Sequence, residues 1–192
     1  INRAALKFAN LDAIFNFKLS ETNPTLFDQQ ELSDEKWSFL DAASGPGGFS
    51  QYMQYRRPFS NGYGVTKKYP ETDIKNRSLN WNKNALDLDH YTILEGADGS
   101  GDLLTQVPFI IASVASKINL VVADGGIEDM KEIDTQPLNL AEYYLGIAVL
   151  AEGGNMLVKT STTKSIFSGY LINLLAQSFE EIHLIKPVSS RQ

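Results

Sequence analysis

The sequence predicts a doubly wound, mostly parallel α/β sheet with flanking helices, and three observations carry that prediction. Short apolar runs alternate with helix-compatible segments from one end to the other. Several of the runs stop at glycine or at a charged residue, as strands do where a ligand crevice opens. The stretch Phe39–Tyr52 shows one whole unit: an apolar run, the turn Gly45-Pro46-Gly47-Gly48, then a helix-compatible segment. No repeat, linker or low-complexity tract divides the 192 residues, a length that can bury a sizeable core. Residues 1–192 therefore read as one domain.

Taken in order, residues 1–18 read as an amphipathic helix, because Ala4, Phe8, Leu11 and Phe15 recur at helical spacing. Asn23-Pro24 ends that region, and residues 20–36 read as a polar connection. A first strand is expected over Trp37–Ala43 and a first helix over Gly48–Tyr55, stopped by Arg57-Pro58. Gly62–Thr66 is the second strand. The Asn-rich stretch from Lys68 to Leu88 has weak periodicity and reads as loop with a short helix. Tyr91–Leu94 is the third strand, followed by a long loop from Gly96 to Asp102.

Pro108 is placed at the first turn of the next helix, which carries Ile110, Ile111, Val114 and Ile118. Leu120–Ala123 is a fully apolar strand that ends at Asp124-Gly125-Gly126. A second proline-led helix is expected from Pro137 to about Glu152, terminated by Gly153-Gly154. Met156–Val158 is the next strand, with Lys159 at its end. Ile166–Phe179 is helical, with Ile166, Tyr170, Leu174 and Phe179 lining a face, and Ile182–Ile185 is the last strand in view.

Composition narrows the function classes. Hydrophobic residues at 43% and charged residues at 21% describe an ordinary globular chain. The most apolar stretch, Val107–Ala123, is interrupted by Pro108, Ser113, Ser116, Lys117 and Asn119, so no bilayer span and no membrane partner are expected. No secretory signal is legible, and Ile1 in place of Met suggests an excised or processed fragment. The absence of cysteine excludes disulfides and Cys-based zinc sites, and it fits an intracellular setting: nucleus, cytoplasm or a virus. A net charge of −6 weighs against a nucleic-acid partner. Local basic clusters (Arg56-Arg57, Lys67-Lys68, and Lys75 with Arg77 and Lys83) are equally compatible with solvated loops and with an RNA track.

The glycine turn suits a nucleotide-type ligand. Glycine this dense lets the backbone take positive φ and lets a ligand approach, and the helix start behind it offers free N–H groups. Two ligands compete. A dinucleotide fingerprint would need glycine where Ser50 stands, and an acid at the end of the second strand, where Lys67 and Lys68 follow instead. The order Asp-x-x-x-Gly-Pro-Gly-Gly-Phe, from Asp41 to Phe49, resembles the first motif of S-adenosylmethionine-dependent methyltransferases.

Four strand ends carry pointed residues: Gly45–Gly48, Asp102, Asp124 and Lys159. Each alone is more often structural; together they make a coherent site beyond the carboxyl edge. With the stretches Asn2–Asp12, Gly62–Thr66, Gly99–Leu103, Ala123–Gly126, Gly153–Thr160 and Lys186–Arg191, the chain resembles cap-specific mRNA 2′-O-ribose methyltransferases of the RrmJ/FtsJ-type fold.

The resemblance implies a Rossmann-like fold, S-adenosyl-L-methionine as cofactor, no metal, and RNA as substrate. That substrate is foremost the first transcribed nucleotide of capped mRNA, with ribosomal RNA as the rival. It implies that Lys7, Asp124 and Lys159 belong to a catalytic Lys-Asp-Lys-Glu set whose Glu would lie past Gln192, together with a last strand. It implies cofactor contacts from Asn2, Ser44, Gly45, Pro46, Gly47, Gly48, Phe49, Thr66, Asp102, Leu103 and Asp124. Substrate contacts would come from Asp129, Lys159, Ser190 and Arg191, and other domains or subunits of a capping or transcription assembly would be partners.

The chemistry explains why lysines are wanted. A ribose hydroxyl is a poor nucleophile, and a lysine can accept its proton only when neutral, against an ordinary pKa of about 10.4. A nearby cation and partial desolvation both favour the neutral form. Lys159 is thus cast as the proton acceptor, Lys7 as the neighbouring cation, and Asp124 as the group that orients the lysine. Read without the resemblance, Lys7 is a surface lysine, Asp124 and Asp102 cap turns, and Lys159 is a phosphate contact. His90 and His183 read as structural. Two other classes compete: a nicotinamide-dependent oxidoreductase using Lys67-Lys68, and a catalytically silent methyltransferase-like module that binds RNA or a partner.

Overall fold

A computed structural model describes residues 3–22, 37–114, 116–126, 132–160 and 162–188. The helices are α1 (Arg3–Ile14), α2 (Gly48–Arg56), α3 (Leu103–Ser113), α4 (Glu132–Val149) and α5 (Ile166–Ser178). The strands are β1 (Ser38–Ala42), β2 (Asn61–Val65), β3 (Tyr91–Ile93), β4 (Ile118–Ala123) and β5 (Leu150–Val158). They form one sheet in the order β3-β2-β1-β4-β5, and every pairing is parallel. The chain winds outward from β1 to β3 on one side and from β4 to β5 on the other. The order therefore reverses between β1 and β4, and a ligand crevice opens at that point.

Side-chain alternation sends the two faces of the sheet into separate cores. Leu40, Ala42, Val121 and Ala123 pack with Val107 and Ile110 of α3 and Leu145 and Val149 of α4. Phe39, Leu120 and Val122 pack on the other face with Phe8 and Leu11 of α1 and Phe49 and Met53 of α2. A buried polar knot fixes α1 against α2. Asp12 accepts from the Ser20 amide at 3.1 Å, the Ser20 hydroxyl at 2.6 Å and the Tyr52 hydroxyl at 2.9 Å. Helix α1 stops at Ile14, short of the expected residue 18, because Asn16 and Phe17 take positive φ and curl the chain back toward Asp12.

The strands and helices around the glycine turn stand within a residue or so of their predicted places; several later expectations are corrected. Pro108 and Pro137 lie inside α3 and α4, not at their first turns, because Asp102 caps α3 and α4 begins at Glu132. Ile118 opens β4 and is not part of a helix. Gly153-Gly154 does not end a helix: α4 gives way to β5 at Leu150. The two glycines then sit where the β4–β5 register slips between Ile118↔Leu150 and Leu120↔Asn155, with Gly153 at φ 74. Ile182–Ile185 joins no ladder among the described residues. The stretch Lys68–Leu88, expected as loop with a short helix, is loop with single turns of 3₁₀ helix at Arg77–Leu79 and Lys83–Ala85, and a third turn follows at Leu88–His90. On α5 the predicted apolar face is the exposed one: Ile166 and Tyr170 are 81% and 72% exposed, whereas Ser168 and Leu171 are buried. A sequence stripe says which residues are apolar, not which side has a neighbour. Among the described residues, no helix is long and apolar enough to cross a membrane.

Candidate active site

At the switch point the ends of β1 and β4 face each other. Ala4, Asp41, Ala43, Ser44, Gly45, Phe49 and Asp124 line a cleft there. Three distant segments meet at its rim. Lys7 of α1 donates to Asp124 Oδ1 at 2.5 Å. Lys159, just past β5, donates to the Asp124 carbonyl at 2.9 Å and places its Nζ 3.5 Å from the same Oδ1. Two ammonium groups thus flank one carboxylate, all three side chains being only 20–35% exposed. Lys7 is no free surface lysine: the Asp12 knot seats the helix that delivers it.

The glycine turn is built in two layers. Ser44, Gly45 and Phe49 face the cleft. Gly47, in the left-handed region at φ 106, backs onto the Trp81 ring, which a Cβ there would approach to 3.2 Å. A Cβ on Gly45 would lie 1.6 Å from the Leu79 carbonyl oxygen. The loop carrying Leu79 and Trp81 is therefore seated on the turn, and the Asn82 amide donates to the Pro46 carbonyl at 3.1 Å. Thr66 belongs to this turn, since its hydroxyl accepts the Gly45 N–H at 3.2 Å. Pro46 and Gly48 complete the turn but do not line the cleft.

Asp102 is occupied otherwise. Its Oδ1 caps α3 through the Leu104 amide at 3.1 Å, and its Oδ2 accepts from Lys67 at 2.6 Å. Leu103 turns its side chain into the core. Neither is among the residues lining the cleft. Asn2, Asp129, Ser190 and Arg191 lie outside the described residues.

The basic clusters separate. Arg56 and Arg57 are 5% and 4% exposed, stacked over the rings of Phe17 and Trp37, so they form no RNA track. Lys67 and Lys68 are paired with Asp102 and Glu95, which leaves them poorly placed for the 2′-phosphate of a dinucleotide. Lys75, Arg77 and Lys83 are exposed on the loop that covers the glycine turn. His90 and His183 sit beside Asp87 and Glu181 and edge-on to Phe59 and Phe15, away from the cleft lining.

Two site residues were assigned no role by the sequence reading, although Asp41 opens its first motif. Asp41 on β1 is fully buried, and its Oδ2 accepts from the Ser50 amide at 2.9 Å and the Ser50 hydroxyl at 2.6 Å. Ser50 is also bonded to the Tyr91 hydroxyl. Asp41 Oδ1 is buried with no partner among the described residues. Burial pushes this carboxyl up to about 7, against the pull of the Ser50 bonds. Burial, and then the neighbouring Asp41, also raise the Tyr91 hydroxyl. An acid inside an apolar strand was the available signal. The second is Glu142 on α4, wholly buried behind the Asp124 turn and bonded to the Gly125 amide at 3.0 Å. Burial raises it to about 7 as well. Its signal was a lone acid on the buried stripe Thr135, Asn139, Gly146 and Val149.

Comparison with known proteins supplies the context for this arrangement. A family model described as FtsJ-like methyltransferase matches residues 1–192. Cap-specific mRNA (nucleoside-2′-O-)-methyltransferase 1 of Xenopus laevis is 34% identical over 209 residues, covering 100% of this chain and 24% of that protein. The Danio rerio protein of the same name is 33% identical over 208 residues, covering 100% and 25%. The chain thus spans about a quarter of the length of the curated relatives it matches. Among solved structures, the MycE methyltransferase of the mycinamycin pathway, in complex with Mg and SAH, overlaps 97% of this chain and 43% of its own. It does so at a TM-score of 0.47 and 15% identity, too remote to bear on the assignment. Matched from its first residue to its last by that family's model, the chain belongs to the FtsJ-like methyltransferases.

Proposed function

We propose that this chain transfers a methyl group from S-adenosylmethionine to a ribose 2′-hydroxyl of RNA, foremost that of the first transcribed nucleotide of capped mRNA. The curated relatives are named as cap-specific mRNA (nucleoside-2′-O-)-methyltransferases. The observation that carries the reading is the convergence of Lys7 and Lys159 on Asp124 at the rim of the cleft.

The cleft suits the methyl donor. Asp41 Oδ1 is a buried polar atom without a partner among the described residues, and Asp124 sets a carboxylate on the same cleft, so a cationic, hydrogen-bonding ligand fits the wall. Ser44, Gly45 and Phe49 would hold it, with Asp41 and Asp124 taking its donors. When bound, S-adenosylmethionine supplies a methyl group already activated on a sulfonium.

What remains for the protein is to orient a hydroxyl and receive its proton. Lys159, held by the Asp124 carbonyl, is the acceptor. Lys7 sets a second amine on the same carboxylate, beside Lys159. Asp124 fixes both amines, so the reacting groups meet without a search. Lys75, Arg77 and Lys83, on the loop over the turn, offer phosphate contacts to an approaching strand.

The test is substitution of Lys159 in the full-length protein. Lys159→Ala should abolish methyl transfer to capped RNA and leave cofactor affinity within about threefold. Lys159→Arg keeps the charge but cannot accept a proton, and it should be inactive too. Near-native turnover by the arginine variant would overturn the role of Lys159 as acceptor. Absence of methylation of any RNA by the unaltered protein would favour a silent binding module.

A further inference from the structure

Glu142 and Lys159 grip the same peptide unit from opposite ends. Glu142 Oε1 accepts the N–H of Gly125 at 3.0 Å, while the carbonyl of that same unit, contributed by Asp124, accepts from Lys159 Nζ at 2.9 Å. A trans peptide is planar, so its N–H and C=O cannot be aimed independently. Whatever fixes the N–H fixes the direction in which the carbonyl presents itself to Lys159.

We infer that Glu142 is a positioning residue for Lys159, acting through the Asp124–Gly125 peptide. The inference rests on the proposed function, in which Lys159 receives the proton of the ribose hydroxyl.

The surroundings leave Glu142 little other purpose. It is 0% exposed in the middle of α4, where an apolar residue would fill the core at no electrostatic cost. Among the described residues it has no ion-pair partner within 4 Å; besides Gly125 it is hydrogen-bonded to the Asn139 amide at 3.4 Å, and the charges of Lys159 and Asp124 act on it from further off. The turn is shaped around it. A Cβ on Gly125 would lie 2.0 Å from Glu142 Oε1, and a Cβ on Gly126 would lie 2.7 Å from Lys159 Nζ. Glycine at both positions is what lets the carboxyl approach from behind and the amine from in front. A hydrogen bond on the N–H also polarises the peptide and makes its carbonyl a better acceptor.

Removing the carboxyl would leave the Gly125 N–H buried without a partner. The peptide would then rotate toward some other acceptor and carry its carbonyl away from Lys159. Glutamine can still present an oxygen to Gly125, with the Asn139 amide turned to receive its NH₂ group.

The experiment uses the full-length protein, with Glu142→Ala, Glu142→Gln and the unaltered chain compared side by side. Glu142→Ala should lower kcat for capped RNA by about 100-fold, the usual effect of displacing a reacting group by an ångström, with the KM for RNA and the cofactor Kd nearly unchanged. Glu142→Gln should recover most of that loss. In the unaltered protein the Gly125 amide should exchange slowly with solvent, and in the alanine variant quickly. Equal turnover by Glu142→Ala, or a glutamine variant as impaired as alanine, would overturn the inference. If the alanine variant does not fold, the glutamine variant and the exchange rate of Gly125 in the unaltered protein still decide: rapid exchange there refutes the grip. The exchange measurement needs no turnover. An inactive parent with a protected Gly125 amide would therefore count against the proposed reaction and not against the grip.

Discussion

Lys7 and Asp124 are 117 positions apart in sequence, yet the Lys7 ammonium lies 2.5 Å from Asp124 Oδ1. The contact closes the site. It joins the helix that precedes the sheet to the end of β4, where Asp124 lines the cleft. Asp12, one face of α1 further on, holds that helix to α2 through Ser20 and Tyr52. Placement of one cation therefore depends on a knot about one and a half helical turns away.

Replacing Lys7 with methionine keeps much of the stem volume and deletes the charge. Methyl transfer should fall by about 100-fold or more, and cofactor affinity should change little, because Asp124 would keep Lys159 but lose its second cation. The pair is partly exposed, so the stability cost should be modest, about 1–2 kcal/mol by urea denaturation. A variant with unchanged kcat would show that Lys7 only tethers the helix.

Much of this was legible in the sequence, for physical reasons that particular residues make plain. The Asp41–Phe49 stretch specifies a strand, a turn and a helix by local chemistry alone, and the structure follows it closely. Lys7, Asp124 and Lys159 could be named because each has a sequence neighbourhood of its own. Their meeting was implied by the family resemblance alone and not by spacing, since it depends on sheet order. Proline misled twice: Pro108 and Pro137 resemble helix starts, but Asp102 supplies a stronger cap to α3 and the start of α4 lies upstream of Pro137. Gly153-Gly154 looked like a helix stop because a strand irregularity and a helix end use glycine for the same reason, a backbone at positive φ. Glu142 stood out only as a lone acid on one stripe of α4; its role could not be read, because its partner is a backbone amide, which leaves no mark in sequence.

Cofactor preference is checked by calorimetry. S-adenosylmethionine or its demethylated product should bind, whereas NAD and NADP should not, since Lys67 and Lys68 are already engaged by Asp102 and Glu95. Gly45→Ala should weaken binding by about tenfold or more, because its methyl group would displace the Leu79 backbone and with it the loop seated on the turn. Gly47→Val should also fail, through its left-handed backbone and the Trp81 ring rather than by filling the cleft. Saturable binding of a nicotinamide dinucleotide, with no response to S-adenosylmethionine, would refute the assignment of the turn.

Stability should carry the signature of two buried acids. Burial raises Asp41 from 3.8 to about 7 and Glu142 from 4.5 to about 7. Between roughly pH 4 and pH 7 the folded protein therefore holds protons that the unfolded chain has already released. The contribution of these groups is fully present below that window, is lost as pH rises through it, and is flat above. The slope should approach about 1.4 kcal/mol per pH unit for each group, falling with rising pH. The other displaced groups do not intrude: Asp73 and Asp98 are lowered, and Tyr52, Tyr91, Tyr143 and Lys67 are raised from values near 10. Asp41→Asn should remove one group's share, because the amide oxygen can keep the Ser50 bonds while its NH₂ takes the place of the unpartnered Oδ1. Urea denaturation at pH 4 to 8 measures both slopes. A protein whose stability rises across that window would show that the two carboxyls fold as anions, and that the fold neutralises them by some other means.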